Sequence, residues 1–145
     1  MSVNQYVVDV LGGAKVLKGP PRPDAADMLD LVRTGLPYQA LESIRERLEL
    51  SLPEAAYVLH VPLRTLARRR HGRKLDAAES DRLYRLARIA AQAVAVLGTE
   101  AKAVAWLRRP NRALNGAVPF GLLDTDLGSR QIEDVLGRMA HGVVS

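Results

Sequence analysis

Cysteine is absent from all 145 residues, which removes disulfides, thiolate chemistry and cysteine-based zinc sites together. Aromatic residues are scarce, 4 % against 48 % hydrophobic residues overall. The apolar content is therefore mostly Leu, Ala and Val, which favours helices over sheets. Long hydrophobic runs are missing too. The opening MSVNQYVVDVLGG is too short and too interrupted for a signal peptide, and no basic region precedes it. Nothing reaches the roughly 20 apolar residues of a membrane-spanning helix, so the expectation is a soluble, cytoplasmic chain with no membrane partner. Catalytic signatures are equally thin. His60, His71 and His141 lie far apart without ligand spacing, and neither G-x-G-x-x-G nor a phosphate-binding G-x-x-x-x-G-K-S/T occurs. Asp124-Thr125-Asp126 reads as loop and capping residues rather than as a metal site. No enzyme activity, metal or cofactor is expected.

What the chain does have is unevenly placed positive charge. The net charge is +5, yet residues 1–59 carry −2, residues 60–99 carry +6 and residues 100–145 carry +1. Between Arg64 and Lys74 stand six of the 21 Lys and Arg residues, with no acid among them. Focused charge of this kind suits a polyanionic partner, and a solvated basic face is the rival reading.

Punctuation and periodicity divide the chain into helices. Residues 1–35 are ambiguous: Gly19-Pro20-Pro21 and Pro23 break structure, and Asp24 can cap a helix carrying Met28, Leu29, Leu31 and Val32. A helix over 38–49 presents Leu41, Ile44 and Leu48 on one face. Ser51 and Glu54 form a capping box with Pro53 in the first turn, and Pro62 separates this helix from a second that Gly72 ends. Asp76 and Glu79 repeat the capping pattern for a long helix over 77–97. Its Leu83, Leu86, Ala90, Val94 and Leu97 form a core stripe, and Arg82, Arg85 and Arg88 are expected on a solvated face. Thr99 can cap a short helix with Trp106, expected in the core; Asn111 should satisfy local backbone groups. Ser129 is expected to cap a last helix bearing Ile132, Val135, Leu136 and Met139.

Residues 36–75 thus have the pattern of a helix-turn-helix, whose second helix enters the major groove of DNA. Arg64 and Thr65 fall in its first turn, where Arg can pair with guanine and Thr can offer its hydroxyl or methyl. Arg68, Arg69, Arg70, Arg73 and Lys74 follow, with phosphate contacts as their default role. One reader helix per chain implies self-association on two-fold symmetric half-sites.

An ordered set of landmarks then resembles a known family. Arg64-Thr65-Leu66 with Arg68-Arg69, the start Glu79-Ser80-Asp81-Arg82-Leu83, Trp106-Leu107, Pro110-Asn111 with Leu114, Gly116 and Pro119, then Gly128, Leu136-Gly137-Arg138 and His141-Gly142 are similar to the antitoxins of RES–Xre toxin–antitoxin systems, whose C-terminal domain is also known as ParS. The resemblance covers roughly residues 50–145 and reaches the first fifty only loosely. It implies an all-α protein: an Xre-like helix-turn-helix domain followed by a small helical toxin-binding domain. The divisions are a variable region over 1–35, the DNA-binding region over 36–75, a connecting helix over 76–98 and the antitoxin domain over 99–145. It implies a non-enzymatic homodimer within a toxin–antitoxin hetero-oligomer. That protein blocks the active site of a RES-domain, NAD-depleting toxin with its C-terminal region, and it binds operator DNA to repress its own operon. The matching toxin-binding positions are Arg130, Glu133, Asp134, Arg138, His141, Gly142 and Ser145. The alternative is a stand-alone dimeric helix-turn-helix regulator without a toxin partner.

Overall fold

The computed structural model describes residues 2–142. Among them are nine α-helices: α1 (Val3–Val10), α2 (Gly13–Leu17), α3 (Ala25–Thr34), α4 (Tyr38–Leu48), α5 (Leu52–Leu59), α6 (Leu63–Arg68), α7 (Ala77–Leu97), α8 (Glu100–Leu107) and α9 (Asp126–Ala140). Short 3₁₀ turns at Arg112–Leu114 and Pro119–Leu122 bridge α8 and α9. The chain is all-α, with an N-terminal helix-turn-helix bundle and a smaller C-terminal helical part.

Local chemistry sets the helix starts. Ser2/Gln5, Asp24/Asp27, Ser51/Glu54 and Asp76/Glu79 each form reciprocal capping boxes, while Thr99 and Thr125 cap α8 and α9 through the side chain alone. Each side-chain oxygen satisfies an N–H that the first helical turn leaves without a partner.

Helix α7 is the spine. Leu83, Leu86, Ile89 and the small residues Ala87, Ala90, Ala91 and Ala93 are buried along it. Helices α1, α3, α5, α8 and α9 all pack against it, and the alanines allow close approach. The core is one continuous cluster running from Tyr6 to Leu136.

The ambiguous N-terminal region is an integral part of this core. Tyr6, Val7, Val10 and Leu11 are buried, and α1 lies along α7. Arg47 of α4 ties it down, pairing with Asp9 at 3.2 Å and with Glu100 at 2.8 Å, while the Tyr6 hydroxyl donates to the same Glu100. Burial first, then the hydrogen bond to Glu100, pushes the Tyr6 pKa well above that of a free phenol.

Three expectations about element limits or faces change. Helix α9 begins at Asp126, capped by Thr125; Ser129 lies inside it, fully buried, with its hydroxyl donating to the Thr125 carbonyl at 2.8 Å. Helix α6 ends at Arg68 rather than at Gly72; Leu66 is its one buried side chain, and residues 70–74 are all exposed. The arginines of α7 are tied to neighbouring elements instead of facing solvent freely. Arg82 donates to the Leu59 carbonyl, Arg85 is buried and donates to the Leu123 carbonyl, and Arg88 pairs with Glu133 at 3.0 Å. Spacing placed them off the apolar stripe, but the end of α5, the turn before α9 and α9 itself cover that side.

Candidate nucleic-acid interface and partner helix

The helix-turn-helix is assembled from α5, a turn over 60–62, and α6. His60 adopts a left-handed conformation, φ 57°, and redirects the chain as it leaves α5. Pro62 stands immediately before α6, where a missing N–H costs little. Ala55, Ala56, Val58, Leu59 and Leu66 hold the two helices on the core.

A backbone clasp fixes the segment after α6. Leu75 N–H donates to the Leu36 carbonyl at 2.9 Å, and Lys74 pairs with Pro37 in an antiparallel bridge. Leu36 N–H in turn donates to the buried Ser80 hydroxyl at 2.8 Å. Gly35 permits this approach: its φ is 102°, and a Cβ there would stand 2.3 Å from the Leu75 carbonyl oxygen.

The basic residues separate into two groups. Arg64, Arg68, Arg70, Arg73 and Lys74 are exposed, while Thr65 is half-buried. Arg69 turns inward, 3.2 Å from Glu79 and 3.8 Å from Asp76. Glu79 is only 2 % exposed and also accepts the Asp76 N–H. Arg69 thus neutralises a buried carboxylate at the start of α7.

Helix α9 presents two faces. Ile132, Val135 and Leu136 are buried, and Glu133 holds the helix to α7 by accepting from Arg88 and from Gln92 at 3.0–3.1 Å. That hydrogen bond to Glu133 is the main reason the Arg88 pKa lies above its ordinary value. Arg130 pairs with Asp126 one turn away at 2.8 Å, both exposed; such a pair adds little stability. Asp134 is exposed in the middle of the helix, and Arg138, His141 and Gly142 are exposed at or beyond its C-terminal end. Ser145 lies outside the described residues.

One surface residue escaped sequence reasoning. Leu127 is 70 % exposed in the first turn of α9. Had the helix been started at Thr125, its apolar side chain would have stood out as a position off the Ile132–Leu136 stripe.

Known proteins match this arrangement part by part. A family described as the antitoxin Xre-like helix-turn-helix domain matches residues 27–88. A second, described as the antitoxin Xre/MbcA/ParS C-terminal toxin-binding domain, matches residues 92–142. The antitoxin Xre of Yersinia enterocolitica is 30 % identical over 129 residues, covering 88 % of this chain and 87 % of that protein. The chain belongs to the Xre antitoxin family. The antitoxin Xre of Photorhabdus laumondii is similar to the same degree, 30 % over 129 residues with the same coverage. That of Pseudomonas putida is 42 % identical over 83 residues, 57 % of this chain and 52 % of that protein. As a member of this family, the antitoxin is a helix-turn-helix, DNA-binding protein and not an enzyme.

Two further properties concern the described residues. No group of three or more His, Asp or Glu side chains lies close enough to hold a metal ion. No helix is long and apolar enough to cross a membrane. Contacts also run from the C-terminal part of the antitoxin back to α5: Arg108 pairs with Glu54 at 2.7 Å, and Tyr57 stacks on Phe120 with ring centroids 6.1 Å apart. The Arg108 hydrogen bond, aided by the Ser51 cap, lowers the Glu54 pKa to about 2 against the opposing effect of burial.

Proposed function

We propose that this antitoxin acts in the cytoplasm as a homodimer that neutralises a RES-domain, NAD-depleting toxin and represses its own operon. The observation that carries the proposal is the two-faced α9. One face is locked to α7 through Glu133 and the apolar stripe; the other offers Leu127, Arg130, Asp134 and Arg138 to a partner. The helix, with the residues that follow it through Ser145, would cover the toxin's active site. The RES identity of the toxin rests on the ordered landmarks from Arg64 to Gly142. On the DNA side, Arg64 and Thr65 address base edges, and Arg68, Arg70, Arg73 and Lys74 address phosphates. Arg69 supports the reader from behind. Residues 36–75 then serve DNA and 99–145 the toxin, joined by the helix over 76–98 and buttressed by residues 1–35.

The test is co-expression with the product of the adjacent gene, followed by purification of the complex. A stable complex whose toxin is silent is the expected result. Leu127→Asp and Arg138→Glu should lose protection of the host cell while the isolated antitoxin keeps its stability to within about 0.5 kcal/mol, as exposed substitutions do. Deleting α9 would be a poorer test, because Ile132, Val135 and Leu136 complete the core. If both point variants protect fully, α9 is not the inhibitory element. If no partner co-purifies, the protein is a stand-alone regulator.

A further inference from the structure

A groove of about 510 Å³ lies between the N-terminal helices and the end of the helix-turn-helix, within the size range of small-ligand sites, roughly 300–1,000 Å³. Three cations from separate parts of the chain line it: Lys18 at the end of α2, Arg70 in the turn after α6, and Lys74 in the backbone clasp. No acid lines it, and among the described residues none of the three cations forms an ion pair or a side-chain hydrogen bond. The nearby Glu42 is engaged by Arg45, with both carboxylate oxygens 2.8 Å from its guanidinium.

Tyr38 adds a second, independent feature. Its side chain lines the groove and is 6 % exposed, and its hydroxyl is buried without a hydrogen-bond partner. A buried hydroxyl left unpaired is costly, so a buried donor beside three unpaired cations marks a place for an anion. Burial and then the Glu42 carboxylate raise the Tyr38 pKa, and Arg70 opposes them; Arg70, exposed, is the residue whose rearrangement would open the hydroxyl to a ligand.

We propose that this groove binds a phosphate group, held by Lys18, Arg70 and Lys74 with the Tyr38 hydroxyl as a further donor. The phosphate has two possible sources. One is the backbone of a duplex seated on α6, since Arg70 and Lys74 continue that basic edge; the other is a free phosphate ion. Only the first rests on the DNA-binding reading. In that case the α2 end belongs to the nucleic-acid face, a role no motif in the first 35 residues announces.

The experiment uses the full chain and two variants, Lys18→Gln and Tyr38→Phe, with a random-sequence duplex of about 20 base pairs and, separately, inorganic phosphate. Each phosphate contact contributes about 0.9 to the slope of log affinity against log salt concentration. With a duplex phosphate in the groove, Lys18→Gln reduces that slope by about 0.9. Tyr38→Phe then weakens binding about tenfold, the loss of one hydrogen bond to a charged group, without lowering the thermal midpoint. With free phosphate as the ligand, the duplex slope is unchanged, and inorganic phosphate shifts the backbone amide signals of Lys18, Gly35 and Lys74 in the parent but not in Lys18→Gln. Either result assigns the site. An unchanged slope together with no shift of these amides overturns it, even where the parent binds duplex normally. If the parent fails to bind duplex and phosphate still shifts the amides, the DNA reading falls and the site stands.

Discussion

Arg68 and Arg69 are neighbours of identical charge, yet alanine should affect them in opposite ways. Arg69 holds Glu79, which is 2 % exposed, at 3.2 Å. Removing it leaves a buried carboxylate without its cation, at about 3 kcal/mol. Arg69→Ala should therefore show a clearly lowered urea midpoint, and any loss of DNA binding should track the unfolded fraction. Arg68 is exposed and has no ion-pair partner among the described residues; Arg68→Ala should leave stability within about 0.5 kcal/mol and weaken duplex binding at constant fold. Equal stability of the two variants would refute the inward role of Arg69. Glu54 gives a pH prediction. Its carboxyl is held near pK 2 by Arg108, against 4.5 when unperturbed. Stability from the pair is complete above about pH 4.5 and is lost as pH falls toward 2, because the unfolded chain takes up the proton first. With each side chain about a third exposed, solvent screening reduces the effect to about 1 kcal/mol. Thermal midpoints of Glu54→Gln measured from pH 6 to pH 2.5 should fall less steeply than those of the parent.

At the scale of elements, α9 depends on a close backbone crossing. A Cβ on Gly128 would stand 2.1 Å from the Leu122 carbonyl oxygen, and that carbonyl belongs to the rigid 3₁₀ turn Pro119–Leu122. Gly128→Ala should force the start of α9 away from this turn and destabilise the protein by about 1–3 kcal/mol, as overpacking does. Calorimetry would read the loss, and an unaltered transition would mean the crossing relaxes without cost. Since Leu127 is the adjacent residue, the same variant should also impair neutralisation. Helix α6 makes the contrasting case. It spans only Leu63–Arg68 and buries Leu66 alone, so it is stable through its docking and not through its own length, isolated helices of that size being unstable in water. The turn at His60 and the Leu36–Leu75 clasp hold its two ends in place of additional helical turns.

For the whole molecule, the charge layout leads to a measurable consequence. On the proposed reading, Arg68, Arg70, Arg73 and Lys74 on each protomer of a dimer would make about eight phosphate contacts, for a salt slope of about −7. Binding isotherms from 50 to 200 mM salt, with sedimentation showing about twice the 15.8 kDa chain mass, would check both; a flat isotherm would dismiss the phosphate assignment. Much of the architecture is local and was therefore legible in the sequence. The Ser51/Glu54 and Asp76/Glu79 capping boxes, the full span of α7, the end at Gly98 and the Asn111 turn, whose side chain accepts the Ala113 N–H, depend on interactions within a few residues. Helix α1 was legible in principle, since Ser2 and Gln5 form a capping box, but its eight residues are too few for the apolar pattern to announce itself. The assignment of charged side chains was not legible. Arg69 and Arg70 are adjacent in the same basic run, and Arg82, Arg85 and Arg88 share one spacing. Which of them meets Glu79, the Leu59 or Leu123 carbonyl, or Glu133 depends on elements 10 to 45 residues away. The sequence by itself determined the helices from α3 onward apart from the limits of α6 and α9, the caps of α3, α5, α7 and α8, and the basic edge, because capping and 3.6-residue periodicity act over one or two turns. Only the tertiary structure decided which cations stay free for a partner and which face of α9 is left open, because ion pairing follows distance in space.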